Sequence, residues 1–188
     1  MGIEWHTAFW CKSDERRVDN FIVVDDETGA LFCFATFEGF SIFEEKTASA
    51  LRAHCSSTSW TRANISSAFA GFRDVVFEQH APAGHDDDIW DWEPDATMAT
   101  VFIEAGAIHV QWVGRTKTLI VRNGVVIGET SPHTLQRQVN EGQGAHVETG
   151  HEFGRIVART LTRGEPESTV LPVGPGDVVV VLHDLFAV

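Results

Sequence analysis

With 188 residues, 43% of them hydrophobic and 22% charged, the chain has the size and make-up of a single globular domain over residues 1–188, able to bury a core without disulfides or a structural metal. Its 27 acidic residues against 14 basic ones give a net charge of −13, which repels phosphate backbones and anionic lipid. Nucleic acid and membrane are thereby excluded as partners, and a basic protein or a cation is favoured. Cys11, Cys33 and Cys55 form an odd set without a Cys-x-x-Cys pair, and the opening residues Trp5, His6, Asp14 and Glu15 read as mature sequence, so a reducing cytoplasm is expected. Apolar runs such as Val178 to Leu182 have the length of a strand and fall far short of a bilayer span.

In chain order, Phe21 to Val24 and Ala30 to Ala35 predict two strands of a hairpin with an acidic tip at Asp25 to Gly29. Ala48 and Leu51 recur at helical spacing within Glu44 to His54, with Cys55 next in step, and Ile65, Ala68, Phe69 and Phe72 do so within Thr61 to Phe72. Two helices are expected there. Pro82 to Pro94 is a loop. Strands follow at Met98 to Glu104, Ala107 to Val113, Thr118 to Val121 and Val125 to Gly128, the last two joined by Asn123-Gly124, a pair suited to the two positive φ angles of a type I′ turn. Gln136 to Glu141 predicts a short helix, Gly142 to Phe153 a polar loop and Asp177 to Leu182 a last buried strand. Hairpins with helices interposed mean α+β.

The order of short segments carries more than the periodicity does. Val113-Gly114-Arg115-Thr116-Lys117 is followed by Leu119 to Gly124, then by Thr130-Ser131-Pro132-His133-Thr134-Leu135 and Glu141-Gly142; Arg159-Thr160-Leu161 comes later, and Gly174-Pro175-Gly176-Asp177 leads the final strand. From about Arg16 onward this succession resembles the metal-dependent Ser/Thr protein phosphatases of type 2C. The resemblance implies a sandwich of two antiparallel β-sheets flanked by helices, here without the family's C-terminal strand. It also implies a two-metal site at one edge, where a metal-activated water attacks a phosphoserine or phosphothreonine.

That chemistry depends on carboxylates, and the resemblance places few of them. Asp19 falls on the aspartate of the family's opening Asn-Glu-Asp and Val18 on its glutamate. Thr36 and Phe37 fall on the first Asp-Gly pair, whose aspartate and following carbonyl bind the metals in the family; Glu38 follows and Gly39 is retained. Asp184 falls on the second Asp-Gly, with Leu185 in place of glycine, and the family's final metal aspartate would lie beyond Val188. Arg115 stands where the Val-Gly-Asp segment has its acid. Asp14 lies nearest the phosphate-gripping arginine, with Arg16 and Arg17 as replacements. Two carboxylates beside an added cation are a poor cage for a divalent ion, so the expectation is no cofactor, or weak Mg²⁺ or Mn²⁺ at most.

The expected function is therefore a catalytically impaired relative that serves as a binding or regulatory module for a protein, a kinase or a phosphoprotein. The competing readings are a weakly active Mn/Mg phosphatase using Asp19, Asp184 and Glu38, and a fold rebuilt for a small ligand. Trp90 and Trp92, set among acids in a loop, are candidate partner anchors. His80, His85 and Asp86 to Asp88 resemble a zinc loop in composition, but an acidic run in a Gly/Pro loop is more often a solvated face. His133 is expected to be structural. A short C-terminus would leave the edge at Val178 to Val181 to be covered by a second copy, by a partner's strand or by Ile3 to Cys11.

Overall fold

The computed structural model describes residues 21–25, 30–38, 41–58, 60, 64, 68–80, 95–104, 106–143, 158–160 and 164–183; up to residue 48, and at several later positions, only the backbone path is described. A first hairpin pairs β1 (Phe21–Asp25) with β2 (Ala30–Glu38), and helices α1 (Ser41–Ser57) and α2 (Ala68–His80) follow. Next come β3 (Asp95–Glu104), β4 (Ala107–Val113), β5 (Thr116–Arg122) and β6 (Val125–Glu129), then α3 (Leu135–Gln143), β7 (Glu167–Pro172) and β8 (Val178–His183). The strands form two antiparallel sheets, a five-stranded one in the order β1-β2-β3-β4-β7 and a three-stranded one in the order β6-β5-β8. β8 is the last strand among the described residues.

Alternation sorts the strands into faces. Ala99 and Val101 on β3, Ile108, Val110 and Trp112 on β4, and Ile120 on β5 form one buried cluster, with Val179 and Val181 of β8 packed against it. This is the core between the sheets. Met98, Thr100 and Phe102 alternate with those β3 residues, so they face away from the second sheet, yet they are buried too. α1 packs against β1 on the first sheet.

α1 buries Leu51 and Cys55, one turn apart, and α2 buries Phe69 and Phe72. The helices approach closely at Gly71, where a β-carbon would sit 2.7 Å from Nε2 of His54. The His54 ring meets that of Phe72 edge-on at 5.6 Å. α1 ends where the hydroxyls of Ser57 and Thr58 both donate to the His54 carbonyl at 3.0 Å, and Trp60 Nε1 donates to the Cys55 carbonyl at 2.8 Å. Those donors satisfy carbonyls that the helix end leaves open.

The expected hairpin, first helix, four central strands, short helix and last strand are all present. α2 departs from expectation: it covers Ala68–His80 and continues well past Phe72. Val75 and Val76 weaken its helical propensity, and packing of the Phe69/Phe72 face outweighs that small local cost. β7 was not anticipated. Asn123 and Gly124 take φ of 51° and 79°, as the type I′ turn requires.

One ion pair closes one end of the second sheet, where Val121 of β5 lies opposite Val178 of β8. Arg122, at the end of β5, forms a fork to Asp177, with Nε and Nη2 each 2.8 Å from a carboxylate oxygen, and the Gly174 amide donates to the same carboxylate at 2.8 Å. The Arg122 fork, aided by that amide, holds the Asp177 carboxyl at about 2, below its ordinary 3.8. A depressed carboxyl pKa stabilises the fold fully above the unfolded value and loses that contribution as pH falls through the folded one. Asp177→Asn should therefore lower the urea midpoint at neutral pH, with the gap to the wild type closing as pH drops below about 3.8. A gap independent of pH would show that the pair contributes nothing electrostatic.

Candidate functional site

Strand register gathers four segments at one end of the sandwich. The end of β2 lies against the start of β3, with Thr36 opposite Thr97, Phe37 opposite Ala96 and Glu38 opposite Asp95. Met98, next along β3, lies opposite Val113 at the end of β4. The chain then turns through Gly114 and Arg115 into β5, where Thr116 pairs with His183, the last residue of β8. Thr36, Phe37, Arg115 and the residue before Asp184 are thus brought to the same end. Val18, Asp19, Asp184, Leu185, Arg16, Arg17, Trp90 and Trp92 lie outside the described residues, as do His85 and Asp86 to Asp88.

The turn between the sheets is tightly specified. Gly114 has φ +81°, and a methyl group there would run into the Thr97 side chain, so both the backbone conformation and the space demand glycine. Thr116 lies fully buried, its hydroxyl donating to the Met98 carbonyl at 3.1 Å. Arg115 is half-buried beside it.

His133 locks this turn. Its amide donates to the Gly114 carbonyl at 2.8 Å, and the Gly114 amide donates to His133 Nδ1 at 3.1 Å. With Nδ1 accepting, the neutral ring carries its proton on Nε2, which lies 3.2 Å from Glu167, close but poorly aligned for a hydrogen bond. The ring stacks on Trp112 at 6.0 Å and 7°, and the Trp112 indole donates to the Ser131 carbonyl at 2.8 Å. Glu167 on β7 also accepts two 2.9 Å bonds from Arg137 of α3 and one of 3.3 Å from Arg159. A small surface cleft, with room for about one water molecule, opens between His133, Arg137 and Arg159.

These are positioning contacts, and they give His133 the structural role expected of it. Glu167 was missed because its partners lie 30 and 8 residues away and no local pattern marks them.

A two-ion site needs a set of hard oxygen donors. Glu38 and Asp95 bring two carboxylate residues to this end, described in backbone only, and among the described residues no three His, Cys, Asp or Glu side chains gather to hold a metal. The described residues alone do not fit the pair of ions.

No family model and no curated protein matches the chain. Solved structures do. A serine/threonine phosphatase from S. agalactiae superimposes with a TM-score of 0.67 at 21% identity, covering 89% of this chain and 74% of that one. The Staphylococcus aureus phosphatase Stp1 gives 0.65 at 10%, covering 88% and 70%. The catalytic domain of the phosphatase PstP in complex with two manganese ions gives 0.58 at 16%, covering 90% and 73%. This chain has the fold of the type 2C Ser/Thr phosphatases.

The same comparison corrects the expectation of no cofactor, since in PstP this fold holds two manganese ions. That expectation came from counting carboxylates at a few positions. A hard cation also takes backbone carbonyls and water, which such a count ignores. As for size, no helix among the described residues is long and apolar enough to cross a membrane.

His133 gives this region a pH dependence. Burial pulls its pKa below the ordinary 6.5, outweighing the attraction of Glu167, while Arg159 and Arg137 push it the same way as burial. The unfolded chain then takes up the proton first, so the ring's contribution to stability is complete above pH 6.5 and is lost as pH falls below it. His133→Gln should be less stable than wild type at neutral pH, and its denaturation midpoint should fall less steeply below pH 6.5. Parallel midpoint curves for the two proteins would remove His133 from the pH response.

Proposed function

We propose that this chain is a catalytically impaired phosphatase-fold module with a binding or regulatory role. The observation that carries the reading is the register of β2. It sets Thr36 and Phe37 opposite Thr97 and Ala96 at the end of the sandwich where Arg115 also lies. A threonine hydroxyl supplies neither the charge nor the bridging geometry of an aspartate, and phenylalanine is bulky where a glycine would let its carbonyl approach an ion.

By the family order of segments Asp19 and Asp184 are the acids left to hold metal, and Arg115 stands where the Val-Gly-Asp segment has its acid. When bound, an ion of this kind would polarise a phosphoryl oxygen and lower the pKa of a bound water. Arg16 and Arg17 supply cations for a phosphate group, and Trp90 and Trp92 are aromatic anchors for a partner. With a net charge of −13, that partner is a protein, a phosphoprotein or a kinase, in preference to nucleic acid or membrane.

Two measurements check this. Hydrolysis of a generic aryl phosphate with Mn²⁺ or Mg²⁺ should not rise above a metal-free control. Metal-dependent turnover that vanishes on Asp184→Asn would establish a working site and overturn the impaired reading. Thr36→Asp alone should not restore activity, because Phe37 keeps its bulk at the carbonyl position. Full recovery by that one change would mean that the remaining ligands are already in place.

A further inference from the structure

The tip of the β5–β6 hairpin carries the one Asn-Gly pair in the sequence. Asn123 and Gly124 are both exposed, as are Arg122 before them and Val125 after. A β-carbon built on Gly124 would meet nothing within 4 Å, so the space around its amide is open. β6 is an edge strand with β5 as its neighbour, and the register between the two shifts at Ile120/Val121. A hairpin tip beyond such a break, held by one neighbouring strand, lies at the low end of local stability.

The structure assigns Asn123 as a site of spontaneous covalent modification, a deamidation that needs no enzyme and no cofactor. The Gly124 amide nitrogen attacks Asn123 Cγ and gives up its proton; the Cγ–Nδ2 bond breaks and ammonia leaves, closing a five-membered succinimide. Water then opens that ring. Addition at Cγ gives aspartate, and addition at the backbone carbonyl carbon gives isoaspartate, in which the main chain runs through Cβ and Cγ. No oxidant or reductant enters. Glycine permits the first step because no side chain crowds the attacking nitrogen. Asn20, Asn64 and Asn140 precede Phe21, Ile65 and Glu141, which do crowd it. Asn140 also lies in α3, where its side-chain oxygen accepts from Gln136 Nε2 at 3.0 Å.

The turn sets the rate. Asn123 and Gly124 hold φ of 51° and 79°, the left-handed pair of a type I′ turn. Ring closure needs a rotation about the Asn123 ψ angle that swings the Gly124 nitrogen over Cγ. The closed turn therefore protects Asn123, and the reaction proceeds through its opening.

The two products differ in effect. Aspartate tolerates the left-handed region much as asparagine does, so it keeps the turn and adds a negative charge. Isoaspartate lengthens the main chain by a methylene, and the two-residue loop no longer matches the Arg122–Val125 pair that it closes. Because Arg122 forks onto Asp177, loosening at the tip also reaches the connection between β7 and β8. β5 carries the chain from Thr116, at the end where Thr36 and Arg115 lie, to Arg122 at the opposite end. The inference is thus independent of the proposed function.

The test is ageing of the full chain at mildly alkaline pH, where the attacking amide loses its proton most readily, beside the same chain unfolded in urea. Peptide mass spectrometry should show an amide turned into an acid at Asn123, and at neither Asn64 nor Asn140. Native conversion should be slower than in urea but within about a hundred-fold of it, as the opening of a hairpin tip at a sheet edge allows. The aged chain should elute from an anion exchanger with one further negative charge and accept methyl groups from an isoaspartyl methyltransferase. Its amide hydrogen exchange should quicken along β6 and stay unchanged at Val110. Asn123→Ser should age without any of these changes; if that variant folds poorly, the wild-type chain alone decides. Native conversion more than a hundred-fold slower than in urea would overturn the proposal. So would modification falling first on another asparagine, or conversion to aspartate alone that leaves β6 exchange as it was.

Discussion

The exchange of two hydrogen bonds between Gly114 and His133 is the constraint on which the rest of the site end depends. It fastens the turn where the chain leaves the first sheet and enters the second. Gly114 can make this exchange because it alone tolerates φ +81° against the Thr97 side chain. His133 can make it because Trp112 supports its ring from one side and Glu167 lies at its far nitrogen. Glu167 is in turn gripped by Arg137 from α3 and by Arg159. A buried polar network of this kind is stabilising only when its members are matched, which makes it a specifier of geometry more than a source of net stability.

Local features were legible from the sequence to the extent that their causes are local. Asn123-Gly124 forces its own turn, and Leu51 and Cys55 share a helix face by spacing alone. β7 was hidden because its short run lies between Pro166 and Pro172, and its justification is β4, far back in the chain, where Gln111 pairs with Ser168 and Ile108 with Leu171. Long-range pairing leaves little local trace. The segment order around Val113 to Leu135 indicated a phosphatase-like sandwich, and the structural comparisons bear out that fold. The site was only partly legible. Register brings Thr36, Phe37 and Arg115 to one end, but the partners of Glu167 could not be read from spacing, and counting acids misjudged the cofactor.

The two faces of the second sheet show how one pattern can carry two messages. Inward, Ile120, Val179 and Val181 close the core with Val110 and Trp112. Outward, Val126 and Val178 stay in water. Hydrophobic burial is non-directional, so the same valine run that helps drive folding also offers apolar area for association.

Folding and metal chemistry draw on separate parts of this molecule. The core between the sheets, the Gly114–His133 exchange and the Arg122–Asp177 fork involve none of the positions where the metal ligands of the resemblance would stand. On the proposed reading, Thr36 at the end of β2 in place of an aspartate leaves each of those contacts untouched. Removing a carboxylate from a crowded acidic cluster also relieves like-charge repulsion in the ion-free protein. A phosphatase fold can lose ligands from that end at little cost to its stability, provided that the turn and its histidine are kept. Val113-Gly114 and His133, beside the Thr36, Phe37 and Arg115 that the proposed reading treats as changed, have that division.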